Sequence, residues 1–202
     1  MSQSLGWKSW RAGAHRLLMR WGWDTRKLRK DRIVLEQVIF PAIHGDSKIQ
    51  AILFIGCAWY TLHYPWMFHD RVFHTLEIDP AAAKYGSHRH IVGSCESLGA
   101  HFGTQELDCI IMNGVFGFGL DTPEALDKTL EGVHQVLRVG GLFVFGWNNL
   151  PAHAPFPPDE VVGWEHFEPI PFAPLGAAIY HSDPINQHRF QFYANRPALE
   201  VG

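Results

Sequence analysis

The chain has 202 residues, a length typical of one domain, and its formal net charge is −3. No apolar run approaches the length that spans a bilayer, and the N-terminus lacks the short apolar core of a secretory signal. Cys57, Cys95 and Cys109 form no close pair, which argues against a disulfide framework or a zinc knuckle and favours a reducing compartment. We therefore expect a soluble protein of the cytoplasm without a membrane span.

The first 32 residues are basic and rich in tryptophan. They contain nine Lys or Arg and two Asp, and their apolar residues recur at helical spacing, which predicts amphipathic helices before Pro41. Three roles are open: a cap packed on the next domain, a lid that excludes water from a ligand, or a contact with nucleic acid or an anionic membrane. The acidic balance of the remaining chain favours the cap and the lid.

A strand–turn–helix–strand unit is predicted next. Ala51–Ile55 is an unbroken apolar run, typical of a strand buried in a parallel sheet, and Gly56 permits a sharp turn after it. The second strand, Val72–Ile78, contains Glu77, 21 positions after Gly56. At that spacing a carboxylate can accept both hydroxyl protons of a ribose lying over the first turn, which points to an adenosine cofactor. Gly56 also suits any turn from a strand to a helix, so this unit alone does not establish an adenosine cofactor.

Strands and turns alternate through the rest of the chain. Thr122 is a suitable N-cap and Pro123 a suitable first-turn residue for a helix that runs to about Leu137. The other predicted elements are strands at Ile91–Val92, Leu107–Met112 and Leu142–Gly146, a Gly140–Gly141 turn, a loop at Pro151–Pro158 and an antiparallel strand at His188–Ala194.

In order and spacing, these segments resemble the class I S-adenosylmethionine-dependent methyltransferases over roughly Lys48 to Asn149. The resemblance implies an α/β fold: a Rossmann-like, doubly wound sheet of seven strands, mostly parallel, with a C-terminal antiparallel hairpin. This domain would span residues 46–202 and follow an N-terminal helical cap or lid of residues 1–45. The implied cofactor is S-adenosyl-L-methionine. A nicotinamide cofactor fits less well, because the turn after the first strand lacks the other glycines of that fingerprint.

The resemblance also implies which residues contact the cofactor. Three positions depart from the family pattern: Phe54 replaces an acidic residue, Ala58 a glycine and Ser94 an aspartate. The expected cofactor-binding residues are Gly56, Cys57, Ala58 and Trp59 in the loop after the first strand, Glu77 and Asp79 at the ribose, Ser94, Cys95 and Glu96 at the adenine, and Asn113, Gly114 and Val115 facing the sulfonium.

Candidate catalytic residues follow from the chemistry of methyl transfer. The reaction is an in-line displacement, so the protein mainly aligns donor and acceptor, and a general base is needed only when the acceptor must lose a proton. Tyr60 and His63 follow the cofactor loop and Asn148 follows the fifth strand, so all three should converge with Asn113 on the carboxyl edge of the sheet. His181 is a second candidate base. No metal-binding motif surrounds the histidines, so no metal is expected.

A small-molecule acceptor, and thus a role in small-molecule biosynthesis, is favoured over nucleic acid. Asn113 is followed by Gly114, Val115 and Phe116, whereas base-methylating relatives carry an Asn-Pro-Pro-Tyr-like motif. Two alternatives stay open. The cofactor could cyclise to azetidine-2-carboxylate and release methylthioadenosine, or the chain could be a non-catalytic cofactor-binding homologue. The sequence leaves homo-oligomer formation undecided.

Overall fold

The structure is a computed structural model that describes residues 30–198. The predicted N-terminal helices lie largely in residues 1–29, outside the described residues. The described part opens with helix α1 (Lys30–Val34), which continues through a π-helical turn (Leu35–Ile39) into α2 (Phe40–Gly45). Within residues 30–198, no helix is long and apolar enough to cross a membrane.

An eight-stranded sheet forms the centre of the described part of the chain. Its strands are β1 (Ala51–Ile55), β2 (Val72–Glu77), β3 (Arg89–Val92), β4 (Leu107–Asn113), β5 (Leu137–Asn148), β6 (Phe167–Pro169), β7 (Ile179–Asp183) and β8 (His188–Asn195). Their order is β3-β2-β1-β4-β5-β8, and β6 and β7 both pair with the side of β8 that faces away from β5. The first five strands are parallel, whereas β8 runs antiparallel to β5.

The sheet confirms the predicted Rossmann-like fold and its antiparallel C-terminal strands. It has one strand more than predicted, because two short strands share β8: β7 pairs with its first half and β6 with its second. Pro171 and Pro174 lie between β6 and β7, where a residue without an N–H interrupts strand pairing. Strand β5 also begins earlier than predicted, at Leu137. The predicted Gly140–Gly141 turn is an irregularity within the strand: Gly140 has φ +69°, and the pairing of β4 with β5 shifts register between Leu137 and Leu142.

The connections are mostly short helices. The helix predicted after Gly56 is reduced to a 3₁₀ turn (Trp59–Thr61) and the single-turn helix α3 (Tyr64–Met67). Pro65 explains this difference, since proline fits only the first turn of a helix and forces a new start there. Helix α4 (Pro123–Val136) matches its prediction, and the Thr122 hydroxyl accepts the predicted N-cap hydrogen bond, 3.2 Å from the Ala125 nitrogen.

Two apolar cores cover the two faces of the sheet. On one face, α4 packs with the 3₁₀ helix Cys95–Ala100 against inward side chains of β4 and β5. On the other face, Leu35, Ile39, Phe40 and Ile43 of the N-terminal helix pack against β1 and β4. The described part of the N-terminal helix is thus in direct contact with the sheet.

Asp108 joins the starts of β1, β4 and β5. Its Oδ2 accepts the N–H groups of Gln50 and Ala51, each at 2.8 Å, and its Oδ1 accepts Nε of Arg138 at 2.7 Å. Burial alone would raise the pKa of Asp108, but these three donors outweigh burial and lower it. The carboxylate therefore stabilises the amino edge of the sheet, which lies opposite the carboxyl edge.

Candidate active site

The turn after β1 needs a glycine. Gly56 has φ +101°, a backbone conformation that residues other than glycine rarely adopt. A Cβ at this position would lie 2.8 Å from Cγ2 of Val115 and 2.9 Å from the carbonyl oxygen of Asn113. The turns after β1 and β4 are therefore in close contact, which only a glycine at position 56 permits.

Glu77 ends β2 beside this turn. Its Oε2 accepts the N–H of Cys57 at 3.0 Å, and its Oε1 accepts the N–H of Asp79 at 3.1 Å. An ionised carboxylate has about four lone-pair positions, so both oxygens can accept further hydrogen bonds. The carboxylate is thus fixed by backbone donors from two loops while it can still accept a pair of hydroxyl groups.

The remaining predicted ribose and adenine contacts are polar turns. Asp79 caps the 3₁₀ helix Pro80–Tyr85 by accepting the N–H of Ala81 at 2.9 Å. Ser94 caps Cys95–Ala100 by accepting the N–H of Glu96 at 3.2 Å. The thiol of Cys95 is buried and accepts a hydrogen bond from Thr129 of α4 at 3.5 Å, so any adenine contact by Cys95 would come from its backbone.

Both cysteines near the site are poor nucleophiles. Burial, followed by the nearby Glu77 carboxylate, raises the pKa of Cys57 to about 12. Burial also raises the pKa of Cys95. Since the thiolate is the reactive form, the raised pKa lowers the reactivity of both thiols.

Asn113 belongs to a buried polar chain that links β4, β8 and β7. Its Oδ1 lies 3.0 Å from Nε2 of His188, and Nδ1 of His188 lies 3.0 Å from the hydroxyl of Ser182. Ser182 also donates to the backbone carbonyl of His188 at 3.2 Å. Glycine at position 146 leaves room for this chain, because a Cβ there would overlap Oδ1 of Asn113.

Asn148 adjoins this chain. It is the last residue of β5 and lies directly opposite His188 in the β5–β8 pairing. Because side chains two positions apart share a face, Asn113, Asn148 and His188 all lie on the face that the N-terminal helix covers, with Ile111, Val144 and Phe190 below them. Asn148 is only 8% exposed, and its buried Oδ1 has no hydrogen-bond partner among the described residues.

Tyr60 and His63 belong to a second cluster, formed with the N-terminal helix. The Arg32 guanidinium lies 3.9 Å from the centre of the Tyr60 ring and donates to the Tyr64 hydroxyl at 2.8 Å. The Tyr64 hydroxyl donates to Oε1 of Glu36 at 3.2 Å, and Nε2 of His63 lies 3.4 Å from Oε2 of the same carboxylate. Burial raises the pKa of Tyr64 and Arg32 only partly opposes this, so the phenol stays protonated.

The predicted catalytic residues therefore fall into two groups. Asn148 lies with Asn113 at the ends of β5 and β4, whereas Tyr60 and His63 contact the N-terminal helix. His181 is exposed on β7, next to buried Ser182. Four further residues belong to these two clusters although no local motif in the sequence marks them: Arg32, Glu36, Ser182 and His188. Within residues 30–198, no group of three or more His, Cys, Asp or Glu side chains could hold a metal ion.

Comparison with known proteins places the fold. No family model and no curated protein matches the sequence. Among solved structures, a TehB-like S-adenosylmethionine-dependent methyltransferase from Corynebacterium glutamicum is 14% identical, with a TM-score of 0.63 over 96% of this chain and 100% of that chain. The N-methyltransferase NodS from Bradyrhizobium japonicum, in complex with S-adenosylhomocysteine, is 14% identical, with a TM-score of 0.62 over 83% and 88% of the two chains.

A third structure has a bound substrate. It is a 1,6-didemethyltoxoflavin N1-methyltransferase from Burkholderia thailandensis, with 14% identity and a TM-score of 0.53 over 82% of this chain and 81% of that chain. It contains 1,6-didemethyltoxoflavin and S-adenosylhomocysteine. The protein thus has the fold of the class I S-adenosylmethionine-dependent methyltransferases.

Proposed function

We propose that this protein binds S-adenosylmethionine and transfers its methyl group to a small molecule. The fold supports the proposal, because the three solved structures described above are methyltransferases and two of them contain S-adenosylhomocysteine. The names of two neighbours also specify small-molecule or N-methylation, rather than cyclisation of the cofactor. Fold alone does not establish activity, so the proposal depends on the residues at the carboxyl edge.

The observation that carries the proposal is the fixed Glu77 carboxylate beside the Gly56 turn. The hydrogen bonds from Cys57 and Asp79 hold both carboxylate oxygens in place before any ligand binds. A cis diol such as a ribose can then donate to the two oxygens without a reorganisation of the loop, which is the geometry of nucleoside recognition in this fold. The glycine at position 56 lets the β1 turn pack against Asn113 and Val115 beside Glu77, so the residues present fit the nucleoside part of an adenosine cofactor.

S-adenosylmethionine, when bound, supplies an activated methyl group for in-line displacement. The chain's own residues then hold and align the acceptor. Asn113 is positioned by His188 at the end of β4, one residue before the Gly114 turn that would face the sulfonium. Asn148 at the end of β5 is the neighbouring polar group. These residues shape the acceptor side of the site.

Tyr60 and His63 have a different role in this proposal. One face of the Tyr60 ring is already covered by the Arg32 guanidinium, so only the other face can meet the sulfonium. His63 lies beside the Glu36 carboxylate, an arrangement that can accept a proton released by an acceptor. In this proposal the N-terminal helix forms part of the wall of the site through Arg32 and Glu36.

The test has two steps. Thermal unfolding with S-adenosylmethionine or S-adenosylhomocysteine at a hundredfold the dissociation constant should show a stabilisation of about 2.7 kcal/mol. The nucleoside released during turnover with candidate acceptors is then identified. S-adenosylhomocysteine supports methyl transfer, and methylthioadenosine formed without an acceptor would establish the cyclase instead. If neither ligand stabilises the protein, the proposal is refuted. The non-catalytic alternative is then refuted too, because it also requires that the protein bind the cofactor.

A further inference from the structure

Asn148 is a buried polar residue whose oxygen has no partner. The residue is 8% exposed, and Oδ1 forms no hydrogen bond with any described residue. Buried acceptors are normally paired, because an unpaired one loses its hydrogen bonds to water without replacement. An unpaired buried acceptor in a native fold calls for an explanation. Asn148 lies at the carboxyl end of β5, the edge at which open α/β sheets bind ligands.

The adjacent polar groups already have partners. Oδ1 of Asn113 is paired with His188, and His188 is paired with Ser182. A further carboxylate at the end of β7, Asp183, accepts the N–H of Ile185 at 2.8 Å. These bonds tie the neighbours to one another and to the β7–β8 turn. The amide of Asn148 is therefore the polar group of this set whose oxygen the described residues leave unpaired.

In the structure Oδ1 of Asn148 is buried, so it can meet a ligand only after the amide turns. The terminal torsion of an Asn side chain is broad and roughly two-fold, so a half-turn brings the oxygen to the position of the nitrogen, and the nitrogen takes the buried place, without moving the backbone. The backbone itself is held in place, because Asn148 lies in the β5–β8 ladder and the next residue donates its N–H to the carbonyl of Gln187 at 3.1 Å. The oxygen thus turns on a rigid support.

We propose that Oδ1 of Asn148 accepts an N–H of the methyl acceptor, and that the acceptor is an amine. This inference rests on the proposed function and names its substrate class. An amide oxygen orients a donor but is too weak a base to remove a proton. It therefore suits an acceptor that attacks with a lone pair while its hydrogens are still attached, and it does not help an alcohol that must first lose a proton.

Methyl transfer to the amine is a single displacement at the methyl carbon. The lone pair of the neutral amine forms the new nitrogen–carbon bond as the carbon–sulfur bond breaks, and that bonding pair goes to sulfur, which leaves as the neutral thioether of S-adenosylhomocysteine. The product is an N-methylammonium ion, which then releases one proton to solvent. Asn148 holds one N–H throughout, so that the lone pair points at the methyl carbon.

Sinefungin provides a probe that needs no knowledge of the acceptor. It is an analogue of S-adenosylmethionine in which a carbon bearing an amino group replaces the sulfonium and its methyl, so it places N–H donors at the point of transfer. The experiment measures the dissociation constants of sinefungin and S-adenosylhomocysteine by calorimetry for the wild type and for Asn148→Leu. We expect the preference for sinefungin to fall about tenfold or more in the variant, with S-adenosylhomocysteine affinity unchanged.

The melting temperature of Asn148→Leu provides a second readout. A purely structural role of the Asn148 amide predicts a lower melting temperature, whereas the proposed ligand-binding role does not. Asn148→Leu removes an unpaired acceptor and keeps the volume, so its melting temperature should stay or rise. Gln191→Leu is the matched control: Gln191 is equally buried, but its Oε1 accepts Nε1 of Trp147 at 2.8 Å. The control should melt lower and keep the wild-type preference for sinefungin.

The outcomes separate the two proposals. If the wild type binds neither sinefungin nor S-adenosylhomocysteine, the proposed function fails. If both bind but Asn148→Leu leaves their affinity ratio unchanged, or if Gln191→Leu lowers it equally, the amine inference alone is overturned. A lower melting temperature for Asn148→Leu would likewise show that the amide has a structural partner and would overturn it.

Discussion

Replacement of Glu77 by Gln tests the ribose assignment with almost no change in side-chain size. The carboxylate accepts two backbone N–H groups, from Cys57 at 3.0 Å and Asp79 at 3.1 Å. A Gln amide offers one oxygen, so one of these donors must face an NH₂ group and lose its bond, at a cost of about 1 kcal/mol in stability. A ribose diol loses a charged acceptor, which should weaken cofactor binding by about 1.5–3 kcal/mol, roughly 10- to 150-fold.

The assay is a calorimetric titration with S-adenosylhomocysteine, with circular dichroism to verify that the variant is folded. Glu106→Gln is the control, because Glu106 also accepts a loop N–H, that of Gly103 at 2.6 Å, but lies before β4 at the opposite edge of the sheet. The control should bind as the wild type does. An affinity of Glu77→Gln within about twofold of the wild type would refute the ribose role and reduce Glu77 to a loop-fixing residue.

Three further predictions concern stability. Gly56→Ala should lower the free energy of unfolding by about 2–4 kcal/mol in urea titrations, because it adds a clash to a strained positive φ, and a wild-type midpoint would disprove the tight turn. Arg32→Met should cost about 3 kcal/mol, since it removes the buried cation that Tyr64 contacts, and an unchanged midpoint would show that this cluster is not formed. Asp108 has a lowered pKa, so its contribution is present above its unfolded pKa and is lost as pH falls through its folded pKa. Asp108→Asn should therefore destabilise the protein at pH 7, and its free energy of unfolding should fall less steeply than that of the wild type below about pH 4. Equal slopes for the variant and the wild type in this pH range would contradict the prediction.

The sheet was predictable because each strand carries its own local signal. The apolar run of β1, the glycine that follows it and the spacing to Glu77 are all visible within one βαβ unit. Helix α4 was predicted for the same reason, since Thr122 and Pro123 mark its start. The helix after Gly56 was overestimated, because Pro65 divides a segment too short to form more than one helical turn on either side.

The site was predictable only in part. Asn113 and Asn148 were found because strand ends of a parallel sheet meet at one edge, a rule that needs no contact information. His188 was missed because its partner Asn113 is 75 positions away, and Arg32 because Tyr64 is 32 positions away. Such pairs depend on strand order and on how the N-terminal helix packs, which neither periodicity nor motif spacing encodes.

The two outer borders of the sheet are both short. At one border, β3 has four residues; at the other, three residues of β6 and five of β7 flank β8 in separate pieces, with prolines between them. A foreign strand needs a long, flat row of unpaired N–H and C=O groups in order to add to a sheet. These borders do not offer one, so the short edge strands of the described domain disfavour edge-to-edge addition of a strand from a second copy.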